Sequence, residues 1–127
     1  MNAWSPLLLV ALGGALGAMA RYGAAQAITR WAPGPFPWGT LFVNIAGSFL
    51  IGLLMVGLMK VGEWRESGRL LLVTGVLGGF TTFSSFSWET WTLFEDGRFA
   101  MAGANVLLSV AVCLLATLAG ALLAKQF

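Results

Sequence analysis

The sequence has no histidine and only one cysteine, Cys113, in 127 residues. Without histidine, the chain cannot form metal sites or proton relays that depend on imidazole side chains. A single cysteine excludes an intrachain disulfide. Only 9% of the residues are charged, whereas a soluble domain carries about 25%. We therefore expect neither a soluble catalytic domain nor a nucleotide-binding fold.

Apolar residues make up 58% of the chain, and a membrane-spanning helix needs roughly 20 of them in succession. Such runs predict an all-α membrane protein with a single domain of four transmembrane helices. No Lys or Arg precedes the first run, so we expect a retained helix and not a cleaved signal peptide. The predicted helices cover about 4–29, 39–59, 70–93 and 99–124, with a charged connection at 60–69.

Basic residues are almost evenly divided between the two predicted membrane sides. Cytoplasmic loops normally carry an excess of Lys and Arg, and an even division predicts insertion in both orientations. We therefore expect a dual-topology antiparallel homodimer, the alternative being a fixed topology set by the first helix or by a partner. One side carries Lys60, Arg65, Arg69 and Lys125, and the other carries Arg21, Arg30 and Arg98.

Small residues recur at four-residue spacing in all four predicted helices, which favours closely packed helix pairs. Polar residues recur at the same spacing in two helices, so each set shares one helix face. These rows line a polar path, or they serve as hydrogen-bonding contacts between helices. Asn44 is the most informative member, because its amide supplies two donors. The rows are Thr40, Asn44 and Ser48 in the second helix, and Asn105, Ser109, Cys113 and Thr117 in the fourth.

The third helix carries two adjacent glycines followed by Phe and two threonines, a poor helical sequence. We predict a break near Gly78 to Thr82, with a continuous, closely packed helix as the alternative. Carbonyls freed by a break at membrane depth must be buried or line a cavity, and they are oxygen ligands suited to a small cation.

Phenylalanines at 80, 83 and 86 recur every three residues, with Ser84 and Ser87 beside them. The edge of a phenyl ring is electropositive, so such a face can hold an anion without a formal positive charge. The alternative is a stripe that faces lipid or packs in the core. Arg21 either extends to the membrane interface or attracts anions at a pore mouth. Glu89 is a functional acid, an interfacial charge or an acceptor for a threonine.

Three segments together resemble the Fluc (CrcB) family of fluoride channels over essentially the whole chain. They are GGALGAMARY at 13–22, GTLFVNIAGSF at 39–49 and GVLGGFTTFSSFSWE at 75–89. The resemblance implies passive fluoride export across the inner (cytoplasmic) membrane of a bacterium, through two pores of an antiparallel homodimer.

The resemblance also implies roles for individual residues. Phe83 and Phe86 correspond to the pore phenylalanines and Asn44 to the pore asparagine, while Thr40, Ser84 and Ser109 are further candidates for the pore lining. A structural Na⁺ at the dimer centre is implied, held by the backbone carbonyls of Gly78 and Thr81. Arg21 and Glu89 are placed at the vestibule or the periphery. Cys113 occupies a position in the polar row where a hydroxyl is expected.

A small four-helix drug/proton antiporter is the main alternative function. That class needs a carboxylate in the middle of the membrane, and Glu89 is the one candidate. A second alternative is an assembly subunit that transports nothing, which the two polar rows argue against. An enzyme is not expected, because the sequence offers no paired acids and no set of nucleophile and base.

Overall fold

The structure is a computed structural model that describes residues 4–62 and 65–127. Within these ranges the chain folds into helices, and four helical spans are long and apolar enough to cross a membrane, as predicted. The first is α1, Ser5–Trp31, and the second is α2, Trp38–Leu58. The third consists of α3, which covers residues 65–80, and α4, Phe83–Glu95; the fourth is α5, Phe99–Ala124.

Prolines and glycines set the ends of the helices. Pro6 stands in the first turn of α1, where its missing N–H removes no helical hydrogen bond. Three prolines at 33, 35 and 37 separate α1 from α2, because proline cannot continue a helix. Between α4 and α5, Gly97 takes a φ of 73°, and the N–H of Arg98 donates to the Leu93 carbonyl at 2.8 Å. This left-handed cap closes a tight hairpin.

The third span runs from Arg65 to Glu95 and is interrupted. Its first part, α3, comprises an α-turn, a wider π-helical stretch and a final α-turn: Arg65–Gly68, Arg69–Leu77 and Gly78–Phe80. Its second part, α4, is Phe83–Glu95. The span begins five residues before the predicted start at 70, since the charged segment from Arg65 onward is helical. Glu63, in the same connection, lies outside the described residues.

The interruption consists of two residues, Thr81 and Thr82, whose backbones are extended. The break lies within the predicted range of Gly78 to Thr82. The adjacent glycines are themselves helical, and Gly79 packs closely, since a methyl group on it would overlap the Gly14 carbonyl of α1. Thr82 is the N-cap of α4, and its Oγ1 accepts the Ser85 N–H at 3.1 Å. A threonine in this position favours the start of a new helix.

Two close helix pairs form the bundle. In one, α1 packs on α3, where a methyl group added to Gly17 would overlap the Val76 carbonyl. In the other, α2 packs on α5, where a methyl group on Gly120 would overlap the Phe49 carbonyl. The predicted close packing of small residues is confirmed at these contacts. The helix α4 packs mainly against α5.

Candidate functional site

A crevice of about 450 Å³ opens between α2, the interruption of the third span and α5. Among the described residues, none that lines it is charged. It combines neutral polar groups and phenyl rings with aliphatic side chains. Such a composition can hold an ion only without formal charge, through hydrogen-bonding groups and ring edges. The predicted site residues on its walls are Asn44, Gly78, Thr81, Phe83, Phe86 and Ser109, accompanied by Ser48 and Cys113 from the two polar rows.

Asn44 bonds the backbone of the interruption in the third span. Its Nδ2 donates to the Thr82 carbonyl at 2.9 Å, and its Oδ1 accepts the Thr82 N–H at 2.7 Å. One side chain therefore satisfies both backbone groups of an extended residue, as a neighbouring strand would do. The second hydrogen of Nδ2 is not used in this pair, so Asn44 keeps one donor at the crevice wall.

The interruption removes the usual helical partners of several successive carbonyls, those of Gly78 and Thr81 among them. In a continuous helix the Thr82 N–H would pair with the Gly78 carbonyl, but here it pairs with Asn44. The Ser85 N–H would likewise pair with the Thr81 carbonyl, but it bonds to Thr82 Oγ1 instead. Both Gly78 and Thr81 line the crevice. These are the two carbonyls that the family resemblance assigns to Na⁺, and their oxygens fit a hard cation chemically.

Phe83 and Phe86 lie three positions apart in the first turn of α4. Their ring centroids are 5.2 Å apart, and the ring planes are tilted by 55°. Because of this tilt, ring edges as well as ring faces border the space between them. Phe86 is 9% exposed, whereas Phe83 is 77% exposed. One ring is thus fixed by packing within the chain, and the other extends from it.

The two polar rows face each other across the crevice, with Asn44 and Ser48 on α2 and Ser109 and Cys113 on α5. Ser109 donates to Asn105 Oδ1 over 3.5 Å, a length at which a hydrogen bond is weak. Its hydroxyl can therefore turn toward the crevice at small cost. Thr117, at the end of its row, donates to the Ser48 carbonyl at 3.0 Å and serves as a contact between helices.

Thr40 is placed apart from this crevice. Its hydroxyl donates to Glu89 Oε1 at 2.7 Å, and it lines a second, smaller cavity of about 190 Å³ together with Arg21, Thr82 and Ser85. The Nε of Arg21 and the Oε2 of Glu89 are buried without a hydrogen-bond partner among the described residues. The structure thus places the two predicted peripheral residues near one small cavity: Arg21 lines it, and Glu89 is bonded to Thr40, which also lines it.

Ser84 is exposed and does not line the crevice; its Oγ lies 3.3 Å from Thr82 Oγ1. Sequence reasoning did not pair Thr90 with Asn105, whose Nδ2 donates to Thr90 Oγ1 at 2.9 Å. A signal for this pair was present, because the two residues lie at nearly equal distances along the chain from the turn at Gly97. In an antiparallel hairpin, such residues come to the same level.

Comparison with known proteins gives consistent matches over almost the whole chain. A family model described as CrcB-like protein, Camphor Resistance (CrcB), matches residues 8–121. A fluoride-specific ion channel FluC from Geobacter sulfurreducens is 50% identical over 120 residues, 94% of this chain and 97% of the relative. Another protein with that name, from Sphingopyxis alaskensis, is 50% identical over 127 residues, 99% of this chain and 98% of the relative.

Proposed function

The chain belongs to the CrcB-like family, and on this basis we propose that it is a fluoride-specific ion channel that lets fluoride leave the cell passively. The two relatives with that name described above match over nearly their full length. The single structural observation that carries the proposal is the crevice of neutral donors and phenyl rings at the interrupted third span.

The physical problem for such a channel is dehydration. Moving a bare ion of this size into an apolar medium costs of order 20 kcal/mol in the Born limit, so the path must replace the lost water along its length. The free amide hydrogen of Asn44, the weakly held hydroxyl of Ser109 and the ring edges of Phe83 and Phe86 are suitable replacements. Because these partners are uncharged, the ion binds weakly enough to leave again.

We further propose that two copies form an antiparallel dimer with two pores, in the inner membrane of a bacterium. Support comes from the near balance of basic residues on the two sides. It also comes from the exposure of Phe83 and Gly78 in the single chain, although both line the crevice. A second copy would supply the missing wall.

A structural Na⁺ between the two copies belongs to the same proposal. The residues that would hold it are Gly78 and Thr81, through backbone carbonyls that have lost their usual helical donors. A bound cation would supply positive charge that stabilises these oxygens in the membrane interior. The role of the chain itself is to keep the backbone of Thr82 extended, through its hydrogen bonds to Asn44.

The decisive experiment is efflux from liposomes that contain purified protein, with fluoride and chloride measured side by side. We expect rapid loss of fluoride, little loss of chloride, and no dependence on an imposed proton gradient. Equal loss of both anions would contradict selectivity, and a flux that required the proton gradient would indicate an exchanger.

The drug/proton antiporter is not favoured by the geometry. Its mechanism needs a carboxylate that meets both the proton and the substrate, yet Glu89 is bonded to Thr40 and does not line the crevice. Drug resistance conferred by the protein in a sensitive bacterial strain would reopen this alternative.

A further inference from the structure

Three hydrogen bonds in series connect α5 to α4 behind the wall of the crevice. Ser109 donates to Asn105 Oδ1 at 3.5 Å, Asn105 Nδ2 donates to Thr90 Oγ1 at 2.9 Å, and Thr90 Oγ1 donates to the Phe86 carbonyl at 2.8 Å. The first and last residues of this series, Ser109 and Phe86, line the crevice, whereas the two between them do not. The series therefore joins two residues of the crevice wall that lie on different helices, α5 and α4.

Asn105 is the central member and is only 1% exposed. A buried carboxamide is costly unless its groups are bonded, and this one has a partner on each side. Among the residues that the structure describes, the pair of Asn105 and Thr90 is the one side-chain hydrogen bond between α4 and α5. The backbone bond from the Arg98 N–H to the Leu93 carbonyl joins the two helices at the turn, and the bond of Asn105 to Thr90 is the described polar contact between them nearer to Phe86.

On the side of α2, α4 is held by the Thr40–Glu89 bond and by the bonds of Asn44 to its N-cap, Thr82, but neither of these fixes it against α5. The N-terminal end of α4 follows the extended residues Thr81 and Thr82, so α3 does not hold it as a continuous helix would. It packs mainly against α5, and apolar packing alone permits small sliding movements between helices. A directional bond at Thr90, one turn after Phe86, restrains that sliding.

We infer that Asn105 is a positioning residue for ion conduction: through Thr90 it fixes the turn of α4 that carries Phe86 relative to Ser109 on α5. This inference rests on the proposed function, since it gives a role in the same path. The width of the crevice between a phenyl ring and a hydroxyl decides whether both can contact one small ion. A shift of a fraction of an ångström in α4 would break that joint contact.

The test uses fluoride efflux from liposomes with two variants and two matched controls. Asn105→Leu removes the carboxamide, and Thr90→Val removes its acceptor while keeping the shape of the side chain. Thr90→Ser keeps the hydroxyl. Thr92→Val removes an exposed hydroxyl that makes the same intrahelical bond, to the Trp88 carbonyl at 3.0 Å, but contacts no other helix through it.

We expect flux to fall by about tenfold in Asn105→Leu and in Thr90→Val, because each breaks the same buried bond. The double variant should fall little further, since one interaction cannot be lost twice. Thr90→Ser and Thr92→Val should conduct like the unaltered protein. Equal losses in Thr90→Val and Thr92→Val, or unchanged flux in both Asn105→Leu and Thr90→Val, would overturn the inference. Should Asn105→Leu fail to assemble, Thr90→Val alone decides.

A second measurement does not depend on fluoride transport. Cys113, the single cysteine, lines the same crevice, and its rate of alkylation by iodoacetamide in detergent reports the crevice width. We expect this rate to change severalfold in Asn105→Leu and Thr90→Val and to stay constant in Thr92→Val. If the unaltered protein conducts no fluoride, the proposed function fails and the alkylation rates decide the inference by themselves. Unchanged rates in both variants would then overturn it.

Discussion

In the proposed channel, one carboxamide has two tasks. The oxygen of Asn44 and one of its amide hydrogens bond the backbone of Thr82, and we propose that the remaining amide hydrogen binds the ion. The hydrogen bonds to Thr82 fix the direction of that free N–H. On this proposal, the stability of the interruption and the binding of the ion depend on the same side chain.

Asn44→Asp tests this coupling. An aspartate still accepts the Thr82 N–H. Its second oxygen, however, replaces the amide group that donated to the Thr82 carbonyl, so two acceptor oxygens face and repel each other. If ionised, it also adds negative charge to the path of an anion. We expect fluoride flux in liposomes to fall by about tenfold or more. Gln126→Glu, the same change of amide to acid at an exposed residue outside the crevice, is the control, and flux in Asn44→Asp equal to that control would contradict the role of Asn44.

The two phenyl rings are tested by Phe83→Ile and Phe86→Ile. Isoleucine keeps apolar bulk but has no electropositive edge, so we expect about a tenfold or larger loss of fluoride flux from each change. Phe94→Ile is the matched control, because Phe94 is on the same helix, stacks on Trp91 and does not line the crevice. Size-exclusion chromatography checks that the assembly is unchanged. Flux equal to that of the control would remove the rings from the mechanism.

At the residue scale, the sequence allowed much of the crevice to be predicted. Spacing brought Asn44 and Ser48 onto one face and Ser109 and Cys113 onto another, and both faces do line the crevice. Thr40 shows the limit of this reasoning. It shares the row of Asn44, but helix spacing gives a direction and not the identity of the neighbour. The neighbour of Thr40 is Glu89, which is 49 residues away along the chain.

At the scale of the helix, backbone contact is what holds the bundle together. Gly52 and Gly120 bring α2 and α5 so close that a methyl group on either would overlap a carbonyl of the other helix. Such contacts gain dispersion energy over many atom pairs, and in a membrane this takes the place of the hydrophobic effect between helices.

Gly120→Ala tests this packing against Gly103→Ala in the same helix. The added methyl group at 120 would overlap the Phe49 carbonyl, whereas nothing lies within 4 Å of one at 103. We expect Gly120→Ala to lower the free energy of unfolding by roughly 1–3 kcal/mol. Gly103→Ala should leave stability unchanged or slightly raised, because alanine favours a helix. Thermal unfolding in detergent measures both, and equal midpoints would contradict the close contact.

Four helical spans followed directly from apolar run length, and the break in the third lies within the predicted range of Gly78 to Thr82. Its exact place in that range did not follow. The low helix propensity of glycine pointed to the two glycines, but both are helical and the extended residues are Thr81 and Thr82. The π-helical stretch Arg69–Leu77 has no local sequence signal either. It lies where Gly75 approaches the Gly13 backbone, a contact that only the folded pair of helices creates.

The whole molecule has little interior of its own. Val43 and Asn105 are the largest side chains described as fully buried, and most large apolar side chains are exposed. Such a surface is stable in lipid, because exposed apolar side chains cost free energy in water but not among lipid tails. The membrane sides differ by a single basic residue, four against three, so a small change of charge should act on the orientation of the entire chain.

Arg30→Gln tests the orientation. The two sides would then carry four and two basic residues, by removal of one from three. We expect most molecules to adopt the orientation with both termini in the cytoplasm. Reporters fused to the C-terminus, one active inside and one active outside, measure the change. The unaltered chain should activate both reporters, and Lys125→Gln, which evens the count, should not favour this orientation. A single pure orientation of the unaltered chain would contradict dual insertion.

The bond between Asn44 and Thr82 also bears on the order of biosynthesis. Extended backbone cannot face lipid unpaired, so the interruption needs its partner as soon as it leaves the translocon. Asn44 precedes Thr82 by 38 positions in the chain, so the helix that carries Asn44 is synthesised first. During translation, the carboxamide of Asn44 is thus already in the bilayer when the third span is inserted. A circular permutant that placed the third span first would lose this sequence of events.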